Sequence, residues 1–388
     1  MSQREEFIRL VHQRRHPITE LCIAFGVSEK TGHKWLSRFQ REGIAGLADR
    51  SHVPHAAPHQ VSPRLRSLIT SLREKHPTWG ARKLRAVLAR RSPEITWPAP
   101  STIGELLRRE GLLRPTRRKR HPNAAGVPLD SGLTIARAPN DVWTTDFKGE
   151  FRLGPGPYCY PLTVLDAQSR YLLGCRALLS TATVPVKVIF TQLFERFGLP
   201  EVIRSDNGVP FACSNALARL STLSVWWIRL GIRPERIAPG HPQQNGQHER
   251  MHKTLKAEAT RPPSASLREQ QNRFDRFRRE YNTVRPHEAL GQREPSSCYT
   301  TSTRSFPDRL GPIEYPAHLE VRRVCKGMIA WKGRYVWLTK ALSGEDVSLE
   351  ETGDDTWTIS FGPLVLGTYH PPSHIFLPET YWKTTPTE

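Results

Sequence analysis

The sequence predicts a multidomain protein in which two helical units precede an α/β core and a small all-β domain. The chain has 388 residues, more than one ordinary domain contains. Apolar residues recur at helical spacing up to about residue 113, strand and helix patterns alternate between residues 140 and 290, and short strands follow residue 315. The predicted boundaries are 1–50 and 60–113 for the helical units, 114–139 for a basic linker, 140–295 for the core and 315–388 for the β domain.

The first helical unit has the pattern of a helix-turn-helix domain. Residues 4–14 predict one helix, Ile18 to Phe25 a second that Gly26 ends, and Ser28 can cap a third that buries Trp35, Leu36 and Phe39. The outward side chains of the third helix are then expected to face the major groove of DNA. These side chains are Lys30, Thr31, His33 and Lys34.

The same architecture is predicted a second time. Residues 62–75 and 80–91 show helical apolar spacing, and Ser101 is expected to cap a third helix. The middle helix carries several cations among its apolar positions: Arg82, Lys83, Arg85, Arg90 and Arg91. Two basic trihelical units in tandem favour DNA binding over a helical bundle with no DNA partner.

The core is predicted to be a mixed five-stranded sheet with helices on both faces. Its first three strands are expected to be antiparallel, and the later strands alternate with helices. The strands are predicted at 141–147, 158–166, 171–179, 201–205 and 232–238, and the helices at 184–197, 215–230, 243–259 and 267–281. Short, evenly spaced strands after residue 315 predict a small β-barrel or sandwich. They are expected at 321–324, 328–331, 334–338, 346–350, 357–361 and 364–369.

The charge of the chain indicates a polyanionic partner. Lys and Arg number 57 against 37 Asp and Glu, and the net charge is +20. Residues 301–388 contribute 9 basic and 11 acidic residues, so the excess lies in the first 300 residues. The linker cations are expected to follow DNA phosphates, although a solvated tether is the alternative. They include Arg117, Arg118, Lys119 and Arg120.

Other features of the sequence predict a cytoplasmic protein. The start is polar, and no apolar run reaches the length of about 18 residues that a membrane helix needs. The six cysteines are scattered, which is typical of reduced thiols. A zinc site at His12, His16 and Cys22 is not expected, since finger-like spacing of four ligands is missing.

Three carboxylates predict a metal-dependent phosphoryl-transfer site. Asp146 and Asp206 each end an apolar strand, and Glu249 lies in the early turn of a helix. Hard divalent cations take oxygen ligands, and a metal pair can activate an attacking oxygen and stabilise a leaving oxygen. Taken alone, each aspartate is better explained as a turn residue. Glu249 changes this balance, because Lys253 and Lys256 share its helical face and suit a bound phosphodiester.

Two other glutamates compete with Glu249 for the third carboxylate position. Glu235 lies within the short strand expected at 232–238, and Glu258 follows Glu249 by nine residues along the same helix. Glu249 is preferred because it lies three residues after the polar segment Pro242-Gln-Gln-Asn-Gly246. Asn245 in that segment and Asn207 beside Asp206 are also predicted to contact DNA.

These motifs resemble the catalytic core of retroviral integrases and of related bacterial insertion-sequence transposases, the Asp-Asp-Glu superfamily with a ribonuclease-H-like fold. The resemblance covers about residues 140–295. It rests on Asp146, Asp206-Asn-Gly-x-x-Phe211 and the segment His241 to Lys256, and Phe277-Arg-Arg-Glu-Tyr281 with Arg285-Pro-His also fits the transposases. It implies that Asp146 bridges two Mg²⁺ or Mn²⁺ ions, with Asp206 completing one site and Glu249 the other.

One departure is the 42 residues between Asp206 and Glu249, more than is usual in the superfamily. We assign the excess to a longer helix over Cys213–Leu230. Its Trp226 and Trp227 are expected to pack in the core, with a DNA-facing role as the secondary alternative.

The expected function is that of a transposase that binds the ends of an insertion sequence, then cleaves and joins DNA strands. Double-stranded DNA is the expected partner, with a homo-oligomer assembled on it and no membrane association. Two alternatives stay open. One is a nuclease of the same fold that cuts without joining, and the other is a non-catalytic helix-turn-helix regulator.

Overall fold

The computed structural model describes residues 2–49, 61–113, 132–213, 216–238, 241–353 and 355–379. The chain forms two compact units, residues 1–62 and 63–388. The predicted multidomain class is confirmed, because an α-helical region precedes a mixed sheet with helices and an all-β region follows it.

The first unit contains helices α1 (Gln3–His12), α2 (Ile18–Ala24) and α3 (Glu29–Glu42). Ser28 caps α3 as predicted, since its side chain accepts a hydrogen bond from the Thr31 backbone N–H. Phe7 and Cys22 form part of the buried core against which α3 packs. A Cβ atom at Gly32 would lie 2.5 Å from Cys22 Sγ, so glycine permits this close approach.

The second unit begins with α4 (Pro63–Lys75), α5 (Ala81–Arg91) and α6 (Pro100–Arg109). The prediction that Ser101 caps α6 is wrong, because the helix starts at Pro100 with Ala99 at the capping position. Proline at the first helical position has a fixed φ suited to a helix start, and its missing N–H leaves no donor to satisfy there.

A mixed sheet forms the centre of this unit. Its strands are β1 (Val142–Phe147), β2 (Phe151–Arg152), β3 (Tyr158–Asp166), β4 (Leu172–Leu178), β5 (Val202–Ser205) and β6 (Arg233–Arg236). The short β2 pairs with the start of β3, and the remaining five strands run in the order β4-β3-β1-β5-β6. Strand β3 is antiparallel to β1 and β4, whereas β5 is parallel to β1 and β6 is parallel to β5. The predicted five strands are therefore confirmed.

Helices cover both faces of the sheet. α7 (Thr183–Phe197) and α8 (Thr222–Arg229) pack on one face around Trp143 and Phe190. α9 (Gly246–Ala259) and α10 (Leu267–Thr283) pack on the other face around Leu165 and Phe274.

Helix α10 also covers the outer edge of the sheet. The Asn282 side chain donates to Leu172 O and accepts from its N–H, and the Gln271 side chain does the same for Cys175 O and Ala177 N–H. These bonds satisfy backbone groups that an edge strand would otherwise leave unpaired.

The expected long helix over Cys213–Leu230 is wrong. α8 covers only Thr222–Arg229, and a single 3₁₀ turn at Leu217–Arg219 precedes it. Ser221 starts α8 through a reciprocal capping box with Ser224. The core role predicted for Trp226 and Trp227 is confirmed, since both are buried.

The C-terminal region is all-β, as predicted. It contains β7 (Glu320–Arg323), β8 (Met328–Trp331), β9 (Arg334–Trp337), β10 (Asp346–Gly353), β11 (Thr356–Phe361), β12 (Leu364–His370) and β13 (Ile375–Pro378). The described strands form an open antiparallel sheet in the order β13-β12-β11-β10-β7 and a separate β8–β9 hairpin. Their shared core around Trp331 and Phe361 also includes Val225 and Ile228 of α8, which joins this region to the central sheet.

Candidate active site

Asp146 and Asp206 come to the same level of the sheet. In the parallel β1–β5 pair, Thr144 is in register with Arg204, and each aspartate follows two residues later. Neighbouring strands lie about 4.8 Å apart, so the two carboxylates project from adjacent positions at one end of the sheet. The sequence-predicted pair is therefore brought together by strand pairing.

Glu249 lies in the first turn of α9, which packs against β1. A 3₁₀ turn at Pro242–Asn245 leads directly into the helix. Glu249 is exposed, and in the described part of the chain it forms no ion pair with Lys253. A helical salt bridge therefore does not account for this carboxylate.

A network of hydroxyl and imidazole groups fastens α9 to the sheet. Thr163 Oγ1 lies 2.7 Å from Nε2 of both His248 and His252, and it donates to the main-chain oxygen of Asp146 at 3.0 Å. Because that bond uses the only hydroxyl proton of Thr163, both Nε2 atoms must carry protons and donate. Nδ1 of His248 then accepts from Thr144 Oγ1 at 2.8 Å, and this bond takes the hydroxyl proton in preference to the longer contact with Leu165 O at 3.3 Å.

The two histidines are neutral. Burial lowers the pKa of His248 to about 3, and burial with His248 and Lys148 nearby lowers the pKa of His252 to about 2. Nδ1 of His252 lies 3.7 Å from Asp146 Oδ2 and carries a lone pair. The pair is therefore not an ion pair, and the histidines orient α9 without neutralising the carboxylates.

The surroundings of Asp146 disfavour its negatively charged form. Burial and the nearby charge of Asp206, with a smaller effect of Glu249, raise the pKa of Asp146 to about 7 against the opposing effects of the Phe147 N–H and Lys148. Burial also raises the pKa of Asp206. Hard oxygen donors that repel each other match the chemistry of a divalent-cation site.

The carboxylates of Asp146, Asp206 and Glu249 are too far apart in this structure to bind one metal ion together. Within the described residues, no three His, Cys, Asp or Glu side chains lie close enough together to hold a metal ion. Binding a cation therefore requires the three carboxylates to come closer together than they are here. Exposed Glu249 has the most freedom to move.

The two competing glutamates, Glu235 and Glu258, each form an ion pair with an arginine. Glu235 Oε2 accepts from Arg204 Nε at 2.6 Å, and its other oxygen accepts from the backbone N–H and hydroxyl of Thr134. Glu258 Oε1 accepts from Arg285 Nη1 at 2.6 Å. Both glutamates therefore have structural partners, which leaves Glu249 as the carboxylate available to join the aspartates.

The predicted DNA contacts occupy different environments. Lys253 and Lys256 are exposed on α9, and Lys30, His33 and Lys34 are exposed on α3, where Thr31 is half-buried. The Asn207 side chain donates to Ile237 O and accepts from Arg219, so its hydrogen bonds are used within the protein. Asn245 is buried. The linker residues Arg117, Arg118, Lys119 and Arg120 lie outside the described residues.

The sequence did not reveal that the second helical unit packs against the core. Arg82 pairs with Glu288 at 2.7 Å, His76 Nδ1 lies 2.8 Å from Glu280 Oε1, and Arg90 pairs with Glu294. Two of the cations expected to serve DNA therefore contact carboxylates of the core. Acidic residues at 280, 288 and 294 were the available signal, but sequence alone does not show which surfaces meet.

Family models match both the N-terminal helical region and the central sheet region. Models described as integrase core domain match residues 136–242 and 230–295. A helix-turn-helix domain model matches residues 3–55, and a homeodomain-like domain model matches residues 31–107. The chain thus contains an integrase core domain and helix-turn-helix domains.

Two kinds of relatives share this core. The chain is 26% identical over 266 residues to an uncharacterized 39.2 kDa protein of insertion element IS476 from Xanthomonas euvesicatoria, covering 68% of this chain and 72% of that protein. It is 33% identical over 138 residues to the Gag-Pol polyprotein of avian reticuloendotheliosis virus, which covers 34% of this chain. The chain spans only 11% of that polyprotein and 8% of the Gag-Pol polyprotein of baboon endogenous virus. The resemblance to insertion-sequence transposases of the Asp-Asp-Glu superfamily is confirmed.

Solved structures similar to the chain include the HTLV-2 integrase catalytic core domain in complex with magnesium. It is 15% identical, with a TM-score of 0.34, and the match covers 43% of this chain and all of that one. A simian T-cell lymphotropic virus intasome in complex with a PP2A regulatory subunit is 13% identical with a TM-score of 0.37, covering 76% and 97% of the two chains.

Among the described residues, no helix has both the length and the apolar character needed to cross a membrane.

Proposed function

We propose that the protein is a transposase that binds the ends of an insertion sequence and catalyses metal-dependent DNA cleavage and strand transfer. One observation carries the proposal. Asp146 and Asp206 share one level of adjacent parallel strands, and the neighbouring helix presents Glu249, whose two competitors are paired with arginines. The integrase core domain models cover all three residues.

Asp146, Asp206 and Glu249 are the residues that would hold two Mg²⁺ or Mn²⁺ ions. When bound, such ions activate an attacking oxygen and stabilise the leaving oxygen of a phosphodiester. No nucleophile from the protein is required, so the chain's own contribution is positioning. His248, His252 and Thr163 hold α9 against β1 and thereby fix the level at which Glu249 enters the site.

The cations on α9 are proposed to align the DNA backbone. Lys253 and Lys256 are one and two turns beyond Glu249 and are exposed, so they can reach a phosphodiester close to the carboxylates. Their charge orients the scissile bond, and correct orientation is worth orders of magnitude in rate.

Recognition of the element ends is assigned to the first unit. α3 begins at Glu29, and its exposed side chains Lys30, His33 and Lys34 suit a helix that enters the major groove. A homo-oligomer on DNA, in which two copies each hold one end, belongs to the same proposal.

The decisive assay uses the full chain, a labelled duplex carrying an element end, and a target duplex with Mg²⁺ or Mn²⁺. A transposase yields both cleaved ends and larger joined products. Cleavage without joined products would instead identify a nuclease of this fold. Binding without either product at any metal concentration would identify a DNA-binding regulator, and both outcomes contradict the proposal.

A further inference from the structure

A cleft rich in arginine opens along the outer edge of β4. It has a volume of about 520 Å³ and lies between α7 and α10. Four arginines line it, with Asp275 as its acidic residue: Arg176 on β4, Arg196 on α7, and Arg278 and Arg279 on α10. None of these residues belongs to the carboxylate site.

The arginines of the cleft lack anionic partners. In the described parts of the chain, no carboxylate oxygen lies within 4.0 Å of their guanidinium nitrogens. Arg176 donates to the neutral Gln192 side chain at 3.1 Å, and Arg278 reaches only the main-chain oxygen of Leu173 at 3.5 Å. Arg204 and Arg285 elsewhere in the core, by contrast, are each paired with a glutamate.

Holding these cations together costs free energy that an anionic ligand would recover. Arg278 is half-buried, and its pKa is lowered by burial and by the charge of Arg196, with a smaller effect of Arg176. Asp275 also lines the cleft, and it accepts a hydrogen bond from the Gln271 side chain. The four arginines and this one aspartate give the cleft a net charge of +3. An uncompensated cluster of this kind suits a ligand with several negative charges.

The shape of the guanidinium group selects among anions. Its planar fork matches phosphate oxygens, and several forks around one cleft can hold consecutive phosphates of a nucleic-acid backbone. A volume of about 520 Å³ exceeds the needs of a single phosphate group. The ring of Tyr171 also lines the cleft, but it already stacks on Tyr299 with ring centroids 4.5 Å apart, so the arginines are the groups that would hold the ligand.

The cleft is separated from the catalytic carboxylates. Asp146 is in register with Thr163 of β3, and Thr163 is in register with Cys175 of β4. Two strand spacings, about 10 Å, therefore lie between Asp146 and the edge where the cleft begins. A phosphate in the cleft is not the phosphate that would be cut.

We propose that this arginine cleft binds the backbone of a DNA segment away from the cleaved bond. The inference rests on the proposed action on DNA and adds a second, sequence-independent contact to it. Such a contact would hold long DNA in place during strand transfer and contribute to the salt dependence of binding.

The test compares two double variants of the full chain on a 40-base-pair duplex of random sequence. Arg196→Ala with Arg279→Ala removes two exposed cations of the cleft, and Arg268→Ala with Arg276→Ala removes two exposed cations of α10 that do not line it. All four side chains are exposed, so folding is preserved, and equal Tm values verify this. The slope of log Kd against log salt is measured for both variants and the parent.

The cleft variant is expected to lose about 1 to 2 in slope magnitude relative to the control, because each phosphate contact contributes about 0.9. Equal slopes for the two variants overturn the inference. So does an unchanged slope with a changed molar mass by light scattering, since the cleft would then bind another copy of the chain. Cleavage by the parent is measured separately: if the parent never cleaves but the slopes differ, the cleft stands and the transposase proposal fails.

Discussion

His252 and the main-chain oxygen of Asp146 are held by one hydroxyl group, that of Thr163, and His252 Nδ1 lies 3.7 Å from Asp146 Oδ2. The strand that carries the first aspartate and the helix that carries Glu249 are thereby joined through one buried hydroxyl group, in addition to the direct bond between Thr144 Oγ1 and His248 Nδ1. The relative position of two predicted metal ligands depends on Thr163.

Thr163→Val is therefore expected to impair both stability and cleavage. It leaves Nε2 of His248 and His252 without an acceptor in a buried position, which costs about 1 to 3 kcal/mol. Misplacement of Glu249 should lower the cleavage rate by about tenfold or more. Thr145→Val is the matched control, since Thr145 is buried on the neighbouring strand but donates only to Thr163 O. Equal cleavage rates for the two variants would show that the network does not position the site.

The contact between the second helical unit and the core predicts a pH effect at Lys83. Burial, with the charge of Arg285 nearby, lowers the pKa of Lys83 to about 8 from its ordinary value of 10.5. Between pH 8 and 10.5 the unfolded chain binds more protons than the folded chain at this residue, so its contribution to stability rises with pH in that window. Below pH 8, the buried charge destabilises the folded state.

Lys83→Met should therefore be more stable than the parent at pH 7, by about 1 to 2 kcal/mol after solvent screening. The difference should shrink as the pH approaches 10.5. Urea unfolding at pH 7 and pH 10 measures this, with exposed Lys75→Met as the control for loss of a surface charge. A Lys83→Met variant that is less stable than the parent at pH 7 would contradict the assignment.

Lys253→Ala with Lys256→Ala tests the exposed face of α9. If these lysines served only as surface charges, their removal would change stability by under about 1 kcal/mol and leave catalysis intact. As backbone ligands they should matter for cleavage and joining, which we expect to fall by about 100-fold. Cleavage and joining rates within about twofold of the parent at moderate salt would show that Lys253 and Lys256 are surface charges that do not contact DNA.

The isolated 1–62 unit should bind duplex DNA without metal, because it is compact on its own and presents Lys30 and Lys34 on α3. Its affinity should fall steeply with salt, by a slope of about 0.9 for each phosphate contacted. Fluorescence anisotropy with an element-end duplex and a scrambled duplex measures affinity and specificity together. If the fragment binds neither duplex at low salt, another part of the chain must recognise the element ends.

Much of the site was predictable because its signals are local. Apolar runs ending in Asp146 and Asp206 mark strand ends, and the polar segment before Glu249 marks a helix start. The periodicity also predicted the five main strands of the sheet.

Features that depend on distant partners were not predictable. The pairing of Glu235 with Arg204 and of Glu258 with Arg285 separates structural glutamates from the candidate catalytic one, and no local pattern encodes it. The short α8 had a local signal in Ser221, but the apolar residues before it suggested a continuous helix. Strand β13 was missed because Ile375–Pro378 is short and mostly exposed, so it lacks the apolar alternation of a buried strand.

The most direct test of the account compares three isosteric variants, Glu249→Gln, Glu235→Gln and Glu258→Gln, for Mg²⁺- or Mn²⁺-dependent cleavage of an element-end duplex. Glu249→Gln should retain the parent's Tm and DNA affinity while cleavage falls below detection, since two metals cannot be held by two aspartates alone. Glu235→Gln and Glu258→Gln should lose stability, because each leaves a mostly buried arginine without its carboxylate, yet still cleave at temperatures where they are folded. Near-normal cleavage by Glu249→Gln, with loss of cleavage in a folded Glu235→Gln or Glu258→Gln protein, would contradict the assignment of Asp146, Asp206 and Glu249 as the catalytic carboxylates.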